Sequence, residues 1–303
     1  MKADKMMIHI LEHWDITYKH MTEIQKDVWS IDEAYFLKAD NNRDVIRNIP
    51  IYEELRENGI PAPEVIRTIE GNYYLELDHK YYYMTCKLGG RHLSKEDVIN
   101  NSVTARLIGQ ATAKLHKGFR VIMPKHNFKE MNLLQELNGW ITENIKEYAP
   151  NSFTYGIIEE CSWELERLLP DLPRQLIHRD LHLGNLLFND NEITGYIDFD
   201  LSQINIRMFD IAYMMVGWIV DSVNDEEFTT SWKQAVQLIL KGYQEELKLS
   251  GAEVEALPII MCSIEILFVA YFESMRDREN VNKAEECLKW LWSNKREIRS
   301  YPI

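Results

Sequence analysis

The feature that most constrains the fold of this chain is a change in apolar periodicity at Gly89-Gly90. Before that point the apolar residues fall into short strand-like runs. Residues 24–30 and 34–39, separated by Ile31-Asp32-Glu33, predict a hairpin, and residues 64–69, 72–77 and 80–86 predict further strands. One helix is expected around 49–57, closed by Asn58-Gly59 and barred from continuing by Pro61 and Pro63. Beyond Gly90 the spacing turns helical over 95–117, 131–148, 152–169, 211–220, 225–249, 254–275 and 281–296. Ser94 and Asp97 resemble a capping box at the start of the first of these. Only residues 175–178, 185–188 and 192–197 read as strands there. The pattern predicts an α+β, bilobal protein: a small β-rich N-terminal lobe over 1–88 and a larger helical lobe over 89–303. A ligand cleft between two lobes is a common arrangement.

Composition narrows the partners. With 48 acidic and 34 basic residues the formal net charge is −14, a poor match for a phosphate backbone, which is bound by neutralising Lys and Arg. No nucleic-acid partner is expected. The acidity serves either solubility alone or the attraction of cationic ligands. Four scattered cysteines, Cys86, Cys161, Cys262 and Cys287, form no CxxC or CxH pair, so reduced thiols in a cytoplasmic protein are expected. The N-terminus lacks an uninterrupted apolar stretch, and the apolar run 257–272 carries Glu265 and is too short to span a bilayer. It reads as a buried helix, and no membrane partner is expected.

The chemistry concentrates in residues 176–200, LIHRDLHLGNLLFNDNEITGYIDFD. His178-Arg179-Asp180 is followed five residues later by Asn185, and a strand-like pair then leads into Ile197-Asp198-Phe199-Asp200. Phosphoryl transfer needs a carboxylate that accepts or orients the attacking hydroxyl. It also needs oxygen ligands that hold Mg²⁺ against nucleotide phosphates. Asp180 suits the first role, as catalytic base, and Asn185 with Asp198 the second. Taken singly, each is an ordinary loop residue; the spacing between apolar runs carries the signal.

HRDLHLGN followed by IDFD resembles the motif pair of the aminoglycoside phosphotransferase and choline kinase family, a branch of the protein-kinase-like superfamily. The family's first motif is often HGDLHPGN, so Arg179 stands for the common Gly and Leu183 for the common Pro. The resemblance implies a protein-kinase-like fold, ATP (with GTP as the alternative nucleotide), Mg²⁺ and a small-molecule hydroxyl acceptor. It implies that Lys38 holds the α and β phosphates, and that the backbone near Thr85 and Lys87 meets the adenine edge. Asp210 matches a family Asp that anchors structure, while His178 braces the loop. His116, at the end of the predicted helix, either lines the cleft or finishes the helix, and the second is the expectation. The lysine's helical partner is less evident: counting from Lys38 favours Glu53 or Glu54, counting back from Pro61 points near Asn48, and Glu53 is the expectation. The hairpin over 19–29 has no glycine to approach phosphate.

Twelve positions separate Asp198 from Asp210, leaving no room for an activation loop. A small molecule is therefore the expected acceptor. The alternatives are a kinase fold that binds without turnover and an atypical protein kinase.

Overall fold

The structure, a computed structural model, describes residues 2–301. Its contacts divide the chain into two compact units: Met1–Arg91 with Leu186–Leu201, and His92–Asn185 with Ser202–Ile303.

The first unit is built on a six-stranded sheet. After helix α1 (Lys2–Leu11) come β1 (Met21–Gln25), β2 (Val28–Ile31), β3 (Tyr35–Asp40), helix α2 (Asp44–Glu57), β4 (Val65–Ile66), β5 (Leu75–Leu77) and β6 (Lys80–Cys86). The sheet order is β1-β2-β3-β6-β4, with β5 pairing β6. The run expected as one strand over 24–30 is two strands turning at Lys26-Asp27, and Asp27 takes the left-handed conformation (φ 61°) usually left to glycine. Its carboxylate is pinned by Lys80 Nζ at 2.7 Å. A fixed turn residue thus replaces a mobile one at the glycine-free hairpin. The β2–β3 turn, at Asp32 and Glu33 (φ 48° and 54°), matches the predicted hairpin.

Alternation along β3 separates core from chemistry. Leu37, opposite Met84 of β6, joins Met7, Ile10, Leu11, Trp14, Ile31 and Tyr82 in an apolar cluster under α1. Each such side chain contributes ~1.5–3 kcal/mol by leaving water. Lys38, opposite Tyr83, projects to the other face. Helix α2 starts earlier than the sequence suggests and holds Pro50 in its interior. It ends as expected at Asn58, with Gly59 left-handed at φ 73°.

Two later strands belong to the same unit, β8 (Leu186–Asn189) and β9 (Glu192–Tyr196), which form a hairpin. They join the end of β6 through Gly90, whose backbone runs at φ 133°. A Cβ there would lie 2.4 Å from Thr194 Oγ1.

The second unit contains α3 (Lys95–Ile99), α4 (Ser102–Ile122), α5 (Leu133–Glu136), α6 (Thr142–Tyr148), α7 (Phe153–Leu168), α8 (Met208–Ile219), α9 (Glu226–Glu246), α10 (Gly251–Met275) and α11 (Arg278–Arg299). Strands β7 (Arg174–Ile177) and β10 (Gln203–Ile206) pair antiparallel within it. The helix expected over 95–117 is two, because Asn101 leaves helical geometry and caps α4 through Val103 N and Thr104 N. The Ser94–Asp97 capping box is present. Helices α4 and α9 meet backbone to backbone: a Cβ on Gly109 would lie 2.0 Å from Ile239 O, and one on Gly242 2.0 Å from Arg106 O.

The apolar run judged too short to span a bilayer lies within α10, whose 25 residues are long and apolar enough to do so. Length therefore does not decide the matter, and burial does: 83% of its most apolar window is packed inside the protein.

Candidate active site

In the first unit the centre is Lys38. Its Nζ lies 2.6 Å from Asp198 Oδ1 and 3.1 Å from Asp200 Oδ2. Burial works against the ammonium, but the carboxylates of Asp200 and Asp198 outweigh it and hold the lysine above its ordinary value. Asp198 sits at the end of the segment after β9 in a left-handed conformation (φ 65°). Such a backbone persists at a non-glycine residue only where its surroundings over-determine it. Asp200 is held from three sides: Lys38, the Tyr83 hydroxyl on Oδ1, and Asn48 Nδ2 donating to its carbonyl at 3.0 Å. Burial pushes its carboxyl up, and Lys38 opposes that. The Tyr52 and Phe199 rings meet edge to face at 4.9 Å beneath this group.

Two expectations in this unit are corrected. Glu53 does not reach Lys38: it accepts from the Tyr73 hydroxyl and pairs with Arg67. Helix α2 presents Asn48 to the Asp200 segment instead, as counting back from Pro61 suggested. Thr85 lies in β6 opposite both Phe36 and Val65, and the Lys87 N–H donates to Ala34 O at 2.7 Å. That N–H is spent within the sheet and is not a donor for a base edge.

In the second unit the motif loop leaves β7 and is clamped by Asp210 in the first turn of α8. Asp210 is fully buried. One carboxylate oxygen accepts from His178 N at 2.8 Å and the other from Arg179 N at 2.8 Å. His116 approaches the first oxygen through Nε2 at 3.0 Å and meets the Tyr243 hydroxyl through Nδ1 at 2.8 Å. With a carboxylate on one side, Nε2–H donates and Nδ1 accepts from the tyrosine. His116 therefore does not finish a helix; it sits inside α4 as the brace of the loop's anchor. Asp210 is the anchor the sequence suggested. Arg179 adopts the left-handed conformation (φ 76°), with its guanidinium 4.9 Å from the Phe209 ring centre.

The clamp presents Asp180, half-buried on the loop. Oδ1 accepts from the Tyr213 hydroxyl at 2.6 Å. Asn185 Nδ2 donates to the Asp180 carbonyl at 2.8 Å, turning its amide oxygen away. His182 Nδ1 accepts from Gly184 N at 3.0 Å, which places the proton of the neutral ring on Nε2, 3.7 Å from Asp180 Oδ2. Burial pushes Asp180 up, yet the contacts from His182 and Tyr213 prevail and hold its carboxyl below the ordinary range.

Tyr213 and His182 also line a cavity of about 420 Å³ with Trp218, Phe268, Phe272 and the buried Glu265. Glu265 Oε2 and Trp218 Nε1 have no hydrogen-bond partner. Burial holds the Glu265 carboxyl well above its ordinary value. Sequence reasoning missed Tyr213, although it falls one helical turn after Asp210. It also missed Asp200, inside the quoted motif.

A strand lysine paired to carboxylates after a short hairpin, and an H-R-D loop anchored on a buried Asp, define an α+β, protein-kinase-like fold. The aminopropanol kinase associated with a microcompartment shares that fold (TM-score 0.74, 17% identity, 97% of each chain). So does the amicoumacin kinase solved with AMP-PNP and Ca²⁺ (TM-score 0.72, 16% identity, 100% of this chain and 96% of that one). The model of the APH phosphotransferase enzyme family matches residues 27–246, and the chain belongs to that family. It is also similar to a homoserine kinase of Agrobacterium fabrum, 27% identical over 218 residues, which cover 69% of this chain and 62% of the relative. The chain thus spans about three-fifths of the length of that curated relative.

Proposed function

We propose that the protein is an ATP-dependent kinase that moves the γ-phosphoryl group to a hydroxyl of a small amine-bearing molecule, a hydroxy amino acid or an amino alcohol. The observation that carries this reading is the state of Asp180. It is a carboxylate held below its ordinary value and oriented by Tyr213 and His182, two side chains that also line a cavity of about 420 Å³, a volume suited to a small ligand.

In this reading residues 1–88 bind nucleotide, and 89–303 carry the catalytic loop and acceptor site. Lys38 gathers the α and β phosphates. The adenine edge is met by backbone at the end of β6 between Thr85 and Lys87, the Lys87 N–H excepted. Glu53 has no part. Asp180 accepts the acceptor's hydroxyl proton as the oxygen forms its bond to the γ-phosphorus. The bond from that phosphorus to the β-bridging oxygen breaks, and ADP leaves with the electron pair.

Asn185 and Asp198 offer an amide and a carboxylate oxygen, donors that suit Mg²⁺. The described residues contain no group of three or more His, Cys, Asp or Glu able to hold a metal. Each of these donor types fits a cation that completes its shell with phosphate oxygens and water. Bound there, Mg²⁺ would neutralise charge on the phosphates.

The cavity supports the acceptor class. Among Trp218, Phe268 and Phe272, Glu265 Oε2, which lacks a hydrogen-bond partner, offers an acceptor to an ammonium group, and the aromatic faces favour its charge. The homoserine and aminopropanol kinases to which the chain is similar are named for amine-bearing alcohols. The test is ATP consumption with Mg²⁺ across homoserine, aminopropanol, ethanolamine, choline and aminoglycosides, with Asp180→Ala as control. Turnover with one class, lost in the variant, is expected. Absence of nucleotide binding would sink the reading in favour of a kinase fold without turnover.

A further inference from the structure

A lysine that holds phosphates must itself be held. Lys38 keeps only 19% of its side chain exposed, and a largely buried ammonium without a fixed counter-charge is costly. Helix α2 offers it none, because Glu53 is committed to Tyr73 and Arg67 and the position facing the Asp200 segment is Asn48. The carboxylates present are Asp198 and Asp200. They are not equivalent. Asp198 is the proposed cation ligand, so its charge is shared with the metal once nucleotide binds. Asp200 is fixed on both oxygens and on its carbonyl, by Lys38, Tyr83 and Asn48.

We infer that Asp200 is the positioning residue for Lys38, supplying from the segment after β9 the counter-charge that a carboxylate on α2 does not provide. Three elements define its place. Lys38 comes from β3, Tyr83 stands directly opposite Lys38 on β6, and Asn48 comes from α2. The amide of Asn48 thereby takes a different part from that of a helix glutamate: it ties α2 to the backbone that carries the charge. An ammonium set in place beforehand binds phosphate without a further ordering cost.

The inference rests on the proposed role of Lys38 in holding phosphates, and its test separates the two. Dissociation constants for ADP with Mg²⁺ are measured by calorimetry on the full chain, alongside melting temperatures and KM and kcat for ATP. The variants are Lys38→Ala, Asp200→Asn, Tyr83→Phe, Asn48→Glu and the double Asp200→Asn/Asn48→Glu. Loss of a charge-assisted bond predicts about tenfold weaker ADP binding for Lys38→Ala and for Asp200→Asn. KM for ATP should rise more than kcat falls.

The double variant, with the carboxylate returned to α2, should recover to within about threefold of wild type, a coupling that a purely structural loss does not produce. Wild-type affinity in Asp200→Asn with affinity lost in Lys38→Ala overturns the inference and leaves the reading of Lys38 standing. Wild-type affinity in Lys38→Ala overturns both. Failure of the double variant to recover any of the affinity lost in Asp200→Asn also counts against the inference. Should Asp200→Asn not fold, Tyr83→Phe decides. It keeps the ring and removes the hydroxyl that meets Asp200 and Tyr52, and an unchanged dissociation constant there overturns the inference.

Discussion

The Tyr213 hydroxyl lies 2.6 Å from Asp180 Oδ1, joining the first turns of α8 to the carboxylate of the H-R-D loop. The tyrosine donates, so it fixes which oxygen of Asp180 remains for a substrate hydroxyl. Tyr213→Phe keeps the ring packed on Phe209 and Phe268 and removes only this bond. We expect kcat to fall about tenfold, the loss of one hydrogen bond to a charged group. The melting temperature should be nearly unchanged; steady-state kinetics and a thermal melt check both.

Acidity at Asp180 is set by the same contacts. Its carboxyl is held below 3.8, so the group is ionised across the neutral range. The stability this depression contributes is present above the ordinary carboxylate value and is lost as pH falls through the lowered one. His182→Ala removes the imidazole and lets the value rise. The acid limb of kcat/KM should move to higher pH in His182→Ala and further in His182→Ala/Tyr213→Phe. Profiles between pH 4 and 8 test this, and coincident limbs would show that Asp180 does not govern them.

Glu265 behaves oppositely. Burial raises its carboxyl well above 4.5, so the folded state keeps a proton that the unfolded chain releases. Stability should fall as pH rises from about 4.5 towards the raised value, by up to about 1.4 kcal/mol per pH unit. Glu265→Gln removes that dependence. Its melting temperature should exceed that of the parent by more at pH 8 than at pH 5, while KM for an amine-bearing acceptor rises about tenfold as the ammonium loses its partner.

Asp210→Asn tests the anchor. The amide keeps one acceptor oxygen but cannot take the donors from His178, Arg179 and His116 together. An orphaned buried donor costs about 1–3 kcal/mol, so the melting point should drop by several degrees. Activity should fall in parallel because Asp180 is two residues from the clamped His178. His116→Ala should show the same direction with a smaller loss.

The candidate site was legible where its residues are close in sequence. Asp180, Asn185 and Asp198 sit in one stretch of 25 residues or fewer, and Lys38 follows a strand hairpin. What escaped was set by contacts distant in sequence. The counter-charge of Lys38 comes from Asp200, 162 residues away, and no helical count from Lys38 could reach it. Pro50 obscured the start of α2, because an interior proline removes a helical N–H and ordinarily breaks a helix, whereas α2 runs through it from Asp44 to Glu57. His116 was misplaced because α4 runs on to Ile122, which puts it in mid-helix. Strand β10 is four residues of mixed polarity and acquires its identity only by pairing with β7. The glycine-free hairpin was visible, but not that Asp27 would adopt the left-handed turn and tie it to Lys80.

Gly109 and Gly242 bring α4 and α9 within backbone contact. Helix α4 carries His116, and α9 carries Tyr243 beside Gly242; these two side chains steady Asp210. A single methyl at either glycine would wedge the helices apart and draw the tyrosine from the imidazole. The precision of the reacting carboxylate is thus underwritten by two residues that have no side chain, remote from the chemistry. On the proposed reading, sequence drift around the cavity beside Tyr213 retunes which acceptor is taken, whereas drift at these two points blunts every acceptor alike.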